Sequence, residues 1–277
     1  EIVGRGGVSL RERWGDEPEL FEHWGERPPE ARRRLLDDLG RLDPRLLADL
    51  RRRLAGREPA GPRPGIVPLP AIPAAEWRAS REARQAGEAL VAAGRTAFLT
   101  VAGGQGTRLG REGPKGCFPI SPLRGASLFQ IFAEKLLAAR RRYGAPQRWY
   151  VMTSPLNHDA TVEFFRSHDR FGLPPGEVTF FRQGLLPSLT PEGRLLLAPD
   201  GGLALNPDGH GGILQALRGE GLSRRLREEG VEELFCFQVD NPLVTVPDPV
   251  FLGFHRRAGA EVSSKVVRKV SPEEKLG

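Results

Sequence analysis

The sequence predicts an α/β fold with a mostly parallel sheet, preceded by a helical N-terminal segment. Beyond residue 73, short apolar runs alternate with stretches of helical periodicity. The first of these runs leads directly into a glycine-rich stretch, which is typical of a ligand-binding strand exit in such sheets. Because strands and helices alternate at this spacing, we expect parallel strands joined by right-handed crossovers.

The first 73 residues predict a helical appendage and a connector. Leucines recur at three- and four-residue spacing over residues 19–54, and Asp43-Pro44 is typical of a helix start in which the aspartate is the cap. Over residues 56–73, the density of Pro and Gly is too high for a helix or a central strand. We therefore expect an appendage with its connector at 1–73 and the α/β core at 74–277.

The core elements follow from periodicity and from capping residues. We expect helices over 74–93, 127–143, 158–168, 213–218 and 249–258, and strands over 97–102, 148–153, 177–181, 234–239 and 261–270. The run at 234–239 is apolar almost throughout, which predicts a central strand. A hairpin-like segment is expected over 189–198.

The stretch LTVAGGQGTRLGREGPK, residues 99–115, predicts a phosphate site. Gly103, Gly104 and Gly106 have no Cβ to keep a phosphate away from backbone N–H donors, and Arg108 and Lys115 add positive charge. A dinucleotide fingerprint would need glycine at Leu109, and a P-loop would need Ser or Thr after a Gly-Lys pair. A glycine-rich strand exit can also be a plain turn, but the full string with both cations favours phosphate binding.

Two further features predict ligand binding. NPDGHGG, residues 206–212, precedes a predicted helix, and a helix N-terminus after glycines suits an anion or another ligand. Asp240 follows the apolar run at 234–239, where a carboxylate beside phosphates would bind Mg²⁺. The alternative is that Asp240 bonds only to backbone N–H groups near Pro242.

Composition narrows the class of protein. Hydrophobic residues make up 39% of the chain, no apolar run approaches a membrane span, and the first residues do not resemble a signal peptide. Cys117 and Cys236 are too few for a disulfide framework, so we expect two free thiols and a cytoplasmic location. The formal charge is +6, but only five of the 41 basic residues are lysines, which favours a coding bias over nucleic-acid binding.

Five ordered stretches resemble the eukaryotic-type UDP-sugar pyrophosphorylases, and most closely the UDP-N-acetylglucosamine pyrophosphorylases. They are VAGGQGTRLGREGPKG, WYVMTSPLNHDATVEFF, FFRQGLLPSL, NPDGHGG and FQVDNPLVTVPDPVFLGF. The resemblance implies a Rossmann-like nucleotidyltransferase core that joins UTP to a sugar 1-phosphate with Mg²⁺ and releases pyrophosphate. It also implies further strands beyond Gly277 that complete the sugar pocket, followed by a C-terminal domain.

The resemblance assigns roles to residues that match the family motifs. It implies nucleotide contacts from Gly103, Gly104, Gly106, Thr107, Gln183 and Gly209, catalytic contacts from Arg108 and Lys115, sugar contacts from His210 and Gly211, and Mg²⁺ binding by Asp240. Gln183, implied at the uracil edge, could instead cap a turn. His210 stands where the N-acetylglucosamine branch has Asn and resembles the UDP-glucose enzymes, so the sugar is N-acetylglucosamine 1-phosphate or glucose 1-phosphate.

Two alternatives remain open at this point. A dinucleotide-dependent oxidoreductase would share the glycine loop, but it predicts an acidic residue after the second strand, where residues 151–154 have none. A nucleotide-binding pseudoenzyme or interaction protein could use the same pocket. The sequence does not predict an oligomeric state.

Overall fold

The computed structural model describes residues 13–56, 65, 67, 71–106, 110 and 113–274. Thr107 and Arg108, both predicted site residues, and most of the predicted connector lie outside these residues. The chain divides into two compact units. We call Glu1–Leu69 with Gly184–Gly212 the helical unit, and Pro70–Gln183 with Ile213–Gly277 the sheet unit.

The helices and strands follow one another along the chain as the sequence predicts, with a few exceptions described below. The helices are α1 (Pro29–Arg41), α2 (Pro44–Ala55), α3 (Ala74–Ala79), α4 (Arg81–Ala92), α5 (Leu128–Tyr143), α6 (His158–Ser167), α7 (Ile213–Gly219), α8 (Leu222–Glu228) and α9 (Pro249–Ala258). The strands are β1 (Thr96–Val101), β2 (Trp149–Thr153), β3 (Val178–Arg182), β4 (Leu185–Pro187), β5 (Leu205–Pro207) and β6 (Glu233–Gln238).

The sheet unit is built on four parallel strands in the order β3-β2-β1-β6, which confirms the predicted α/β class. Phe98 of β1 is fully buried and pairs in register with Trp149 of β2 and Phe235 of β6. The indole N–H of Trp149 donates to the Thr100 hydroxyl at 2.7 Å, which is a buried hydrogen bond between β2 and β1. The carboxyl ends of all four strands therefore lie at one edge, where ligands bind in such sheets.

Strand β6 is an edge strand of the four described, so the prediction of a central strand is wrong. Phe235 and Phe237 are buried on one face, whereas Cys236 and Gln238 are exposed on the other. An apolar run does not show whether both faces of a strand are covered. Both thiols are free, as predicted.

The helix predicted over 74–93 is broken at Ser80, whose hydroxyl oxygen accepts the Ala83 N–H at 3.2 Å and starts α4. The other predicted helices form. In α5, Ser127 accepts the N–H of Gln130, and Gly144 ends the helix with φ +67°. No helix in the described part of the chain is both long and apolar enough to cross a membrane.

The strand predicted over 261–270 is wrong. These residues have no strand hydrogen bonds, and four of their valines, Val262, Val266, Val267 and Val270, are exposed. The predicted pattern needs a neighbouring strand, and none of the described strands pairs with this segment. Instead, Ser263 lies 2.9 Å from Nδ1 of His255, and Lys265 pairs with Asp248.

The helical unit packs α1 and α2 against residues 184–212. Its apolar core includes Leu35, Leu39 and Leu47 from the helices and Leu195 and Leu203 from the later segment. Asp43 caps α2 by accepting the Arg45 N–H at 2.9 Å, as predicted. The predicted hairpin also forms, with a bridge between residues 189 and 195.

The compact units differ from the predicted division at residue 73. Residues 184–212 were predicted to belong to the α/β core, but this segment groups with the N-terminal helices. The physical reason is that Leu195 and Leu203 bury their side chains against leucines that are far away in sequence.

Candidate functional site

The glycine loop after β1 turns back on itself and brings Lys115 beside Gly104. The Gly106 N–H donates to the Gly113 carbonyl at 2.8 Å, and the Lys115 N–H donates to the Gly104 carbonyl at 3.1 Å. In contrast, the N–H groups of Gly103, Gly104 and Gln105 have no acceptor among the described residues. Three successive N–H donors next to a lysine can bind an anion.

Gln183 lies directly against Gly103. A Cβ at residue 103 would be 2.7 Å from Nε2 and 2.9 Å from Oε1 of Gln183, so the close approach requires glycine. The Gln183 N–H donates to the Thr153 carbonyl at 2.8 Å, which fixes this residue at the carboxyl edge of the sheet. Its side chain is buried, and in the described part of the chain its amide has no hydrogen-bond partner. The amide is therefore available to a ligand.

Lys115 and Asp240, both predicted site residues, form an ion pair. Nζ of Lys115 is 2.9 Å from Oδ2 of Asp240, and the two side chains are 21% and 47% exposed. The pair joins the glycine loop to the carboxyl end of β6. Among the described residues, Lys115 is the partner of the Asp240 carboxylate, and no backbone N–H near Pro242, the alternative, donates to it.

The residues around Asp240 suit a Mg²⁺ ion that is also bound by substrate phosphates better than one held by protein side chains alone. Among the described residues, no group of three His, Cys, Asp or Glu side chains could hold a metal ion. Magnesium, however, commonly binds one or two carboxylates together with substrate phosphates. Asp240 is a partly exposed carboxylate, and it lies beside backbone N–H donors that have no acceptor in the described part of the chain, so it meets that requirement.

The NPDGHGG loop belongs to the helical unit. Gly209–Gly212 form a 3₁₀ turn after β5, with φ +61° at Gly209, and His210 and Gly211 are exposed. A Cβ on either Gly184 or Gly212 would overlap the Asp208 carboxylate. Burial raises the pKa of Asp208 above its usual value.

Asn157 lies at this edge of the sheet and was not among the predicted site residues. Its Nδ2 donates to the carbonyls of Ala102 and Gly104, at 3.0 and 3.3 Å, and its Oδ1 accepts two bonds from Ser154. An asparagine before a helix is usually a helix cap, so the sequence held no signal for this contact. Next to it, burial lowers the pKa of His158, whose Nδ1 lies 2.7 Å from the Thr153 hydroxyl.

Comparison with known proteins identifies the family. A family model described as UTP–glucose-1-phosphate uridylyltransferase matches residues 71–277. The chain is 38% identical to UDP-N-acetylglucosamine diphosphorylase 2 of Arabidopsis thaliana over 276 residues, covering 94% of this chain and 55% of that protein. It is 39% identical to human UDP-N-acetylhexosamine pyrophosphorylase-like protein 1 over 277 residues, covering 93% of this chain and 54% of that protein.

A solved structure agrees with this result. The crystal structure of the uridine diphosphate N-acetylglucosamine pyrophosphorylase from Trypanosoma brucei, in complex with an inhibitor, superimposes with a TM-score of 0.80 at 27% identity. The match covers 99% of this chain and 59% of that one. The chain spans about half the length of the curated relatives it matches. By its motifs, its fold and the family model that it matches, the chain belongs to the UTP–glucose-1-phosphate uridylyltransferase family.

Proposed function

We propose that this chain carries the UTP site of a uridylyltransferase that joins UTP and a sugar 1-phosphate to give a UDP-sugar and pyrophosphate. The observation that supports this best is the ion pair between Lys115 and Asp240, 2.9 Å long, beside three backbone N–H groups that have no acceptor among the described residues. This arrangement combines N–H donors and a cation for phosphates with a carboxylate for a metal ion. We expect the enzyme to act in the cytoplasm, where its two thiols stay reduced.

Catalysis here needs positioning and charge rather than a protein nucleophile. An oxygen of the sugar phosphate attacks the α-phosphorus in line, a new P–O bond forms, and the bond to pyrophosphate breaks. Negative charge gathers on the equatorial and leaving oxygens during this step. Lys115 offsets that charge, and we assign the same role to Arg108 from the family motif.

Gly103, Gly104 and Gly106 let the triphosphate approach the loop backbone, and Thr107 belongs to the same motif. We assign the uracil edge to the buried amide of Gln183. From the family motif, we assign a nucleotide contact to Gly209 of the second loop. Mg²⁺ would be held by Asp240 together with phosphate oxygens, and when bound it supplies further charge neutralisation.

The sugar is the finer part of the proposal. The names of the relatives favour N-acetylglucosamine 1-phosphate, whereas the family description names glucose 1-phosphate. We place the choice at His210 and Gly211, since a neutral imidazole can donate to a sugar hydroxyl or a phosphate oxygen. A dinucleotide-dependent oxidoreductase lacks support, because β2 ends at Thr153 without an acidic residue to hold a ribose.

Binding and turnover of UTP test the proposal, with Lys115→Ala as the informative variant. In titrations with UTP and Mg²⁺, we expect the unaltered chain to prefer UTP over ATP and Lys115→Ala to bind UTP more weakly. Where the protein releases pyrophosphate with a sugar 1-phosphate, Lys115→Ala should lower kcat on the order of a hundredfold or more. Lys269→Ala, which removes an exposed lysine, is the matched control and should change neither quantity.

Three outcomes separate the possibilities. Absence of UTP binding, or a Lys115→Ala variant with normal kcat, would contradict the proposed site. UTP binding without pyrophosphate release from any sugar 1-phosphate would instead favour a binding-only pseudoenzyme. Comparing N-acetylglucosamine 1-phosphate with glucose 1-phosphate identifies the preferred sugar.

A further inference from the structure

Asn157 connects the exits of β1 and β2 through all four of its side-chain hydrogen bonds. Its side chain is 1% exposed. The Oδ1 atom accepts the N–H of Ser154 at 2.8 Å and the Ser154 hydroxyl at 3.0 Å. The Nδ2 group donates to the carbonyls of Ala102 at 3.0 Å and Gly104 at 3.3 Å. The amide is thus fully used, and half of its bonds go to the glycine loop.

The side chain of Asn157 does not cap α6, although the residue occupies the N-cap position. No N–H of the helix donates to it. Capping is the usual reason for asparagine at this place, so the contact with the loop is not a by-product of helix formation. The backbone carbonyl of Asn157 serves the helix instead, since it accepts from the N–H and the hydroxyl of Thr161, at 2.9 and 2.7 Å.

Peptide geometry links the two carbonyls held by Asn157 to the loop's free donors. In a trans peptide, the C=O of one residue and the N–H of the next point in opposite directions. With the Ala102 carbonyl turned toward Asn157, the Gly103 N–H points away from it. The same holds for the Gly104 carbonyl and the Gln105 N–H. Both N–H groups lack a protein acceptor among the described residues.

The glycine loop needs such an external constraint. Glycine populates more backbone conformations than any other residue, so the peptides around Gly103 and Gly104 could rotate. The Lys115 N–H also donates to the Gly104 carbonyl, at 3.1 Å, so this carbonyl has two donors. For the Ala102 carbonyl, Asn157 is the donor that the structure shows.

We infer that Asn157 is a positioning residue for phosphate binding: by holding the carbonyls of Ala102 and Gly104, it directs the N–H groups of Gly103 and Gln105 at the phosphates of the nucleotide. The inference rests on the proposed UTP site and adds a residue that itself touches no phosphate. It predicts that loss of the Nδ2 donor weakens polyphosphate binding while contacts to the uridine remain.

Asn157→Asp is the sharpest test because it keeps the shape and the Oδ1 acceptor but replaces the donor with a carboxylate oxygen that faces two carbonyls. We expect the affinity for UTP and for inorganic tripolyphosphate, both titrated calorimetrically, to fall tenfold or more. Uridine binding, followed by ligand-observed NMR, should stay within about twofold. Asn157→Ala removes the donor without adding repulsion, so its loss of affinity should be smaller.

Two control variants alter the neighbourhood without removing the donor. Ser154→Ala removes one bond to Oδ1, and Thr161→Val removes a side-chain bond to the Asn157 backbone carbonyl while its N–H bond remains. Both should keep the affinity for tripolyphosphate within about twofold. If Asn157→Asp does not fold, Asn157→Ala with the same two ligands decides.

Equal loss for uridine and tripolyphosphate, in step with a lower melting temperature, would show that Asn157 is merely structural and overturn the inference. Unchanged tripolyphosphate affinity in folded Asn157 variants would overturn it as well. If the unaltered chain binds neither UTP nor tripolyphosphate, the proposed function itself fails. Failure of the proposed function is measured on the unaltered chain, whereas failure of the inference is measured on the Asn157 variants, so the two can be told apart.

Discussion

At the residue scale, we expect the contact between Gly103 and Gln183 to matter for nucleotide binding but little for the stability of the fold. The backbone of Gly103 is not in the left-handed region, so alanine is conformationally allowed there. A Cβ at this position would lie 2.7 Å from Nε2 of Gln183, which is the far end of a flexible side chain. Gly103→Ala should therefore move the amide and leave the fold in place.

We expect Gly103→Ala to lower UTP affinity about tenfold, because roughly one hydrogen bond to the nucleotide is lost. We also expect the ratio of UTP affinity to ATP affinity to fall. Titration calorimetry measures both quantities, and the melting temperature should change little. Gly219→Ala is the matched control, because nothing lies within 4 Å of its Cβ position. Unchanged nucleotide selectivity in Gly103→Ala would contradict the role assigned to Gln183.

The sequence could predict the residues of this site whose chemistry is specific, but not those whose role depends on packing. Lys115 and Asp240 stood out as a cation in a glycine loop and a carboxylate after an apolar strand, and the structure pairs them. Asn157 did not stand out, because two of its four bonds reach the start of the glycine loop, more than fifty residues earlier in the chain. The sequence also did not show why residues 184 and 212 are glycines. A Cβ on Gly184 or Gly212 would overlap the Asp208 carboxylate, and only the structure shows where that carboxylate lies.

At the element scale, α4 and α9 cross with their backbones in contact. A Cβ on Gly87 of α4 would overlap the Pro249 carbonyl group of α9, and a Cβ on Gly253 of α9 would overlap the Ala83 carbonyl group of α4. Both glycines are buried in their helices. Helix propensity alone would favour alanine at each position by about 1 kcal/mol, so packing decides these two residues.

We expect Gly87→Ala and Gly253→Ala each to lower the free energy of unfolding by about 2 kcal/mol or more, because the helices must separate to admit a methyl group. Denaturant or thermal unfolding followed by circular dichroism measures the change. Gly40→Ala, whose added Cβ would have nothing within 4 Å, should be neutral or slightly stabilising. Melting temperatures of the two buried variants equal to that of Gly40→Ala would contradict the packing argument.

Strand prediction succeeded for elements whose partners are close in chain order, and failed where the environment decides. β1, β2 and β3 follow one another with a helix between each pair, so apolar runs and crossovers were sufficient to predict them. β6 has the same kind of apolar run, yet one of its faces is exposed, as Cys236 and Gln238 show. The segment 261–270 has an apolar pattern typical of a strand but no partner among the described strands.

At the scale of the whole molecule, the helical unit is discontinuous in sequence. Leu195 and Leu203 share a core with leucines of α1 and α2. Polar contacts join the same parts: the Leu203 N–H donates to Asp38 at 2.9 Å, and Nε of Arg51 donates to the Gly193 carbonyl at 2.8 Å. Sequence periodicity cannot show this association, since it contains no information about partners more than a hundred residues apart.

A chain lacking residues 1–69 should keep its parallel sheet but lose structure in residues 184–212. Without α1 and α2, the segment has no partner for Leu195 and Leu203, and it cannot bury enough apolar area to offset its conformational entropy. Hydrogen exchange followed by mass spectrometry should therefore show fast exchange over 184–212 and continued protection of β1 and β2. The full chain with Arg34→Ala is the control, because it loses only an exposed ion pair with Asp200, and its exchange should match the unaltered chain. Protection of 184–212 that survives the truncation would mean that this segment is held by contacts other than the leucine core.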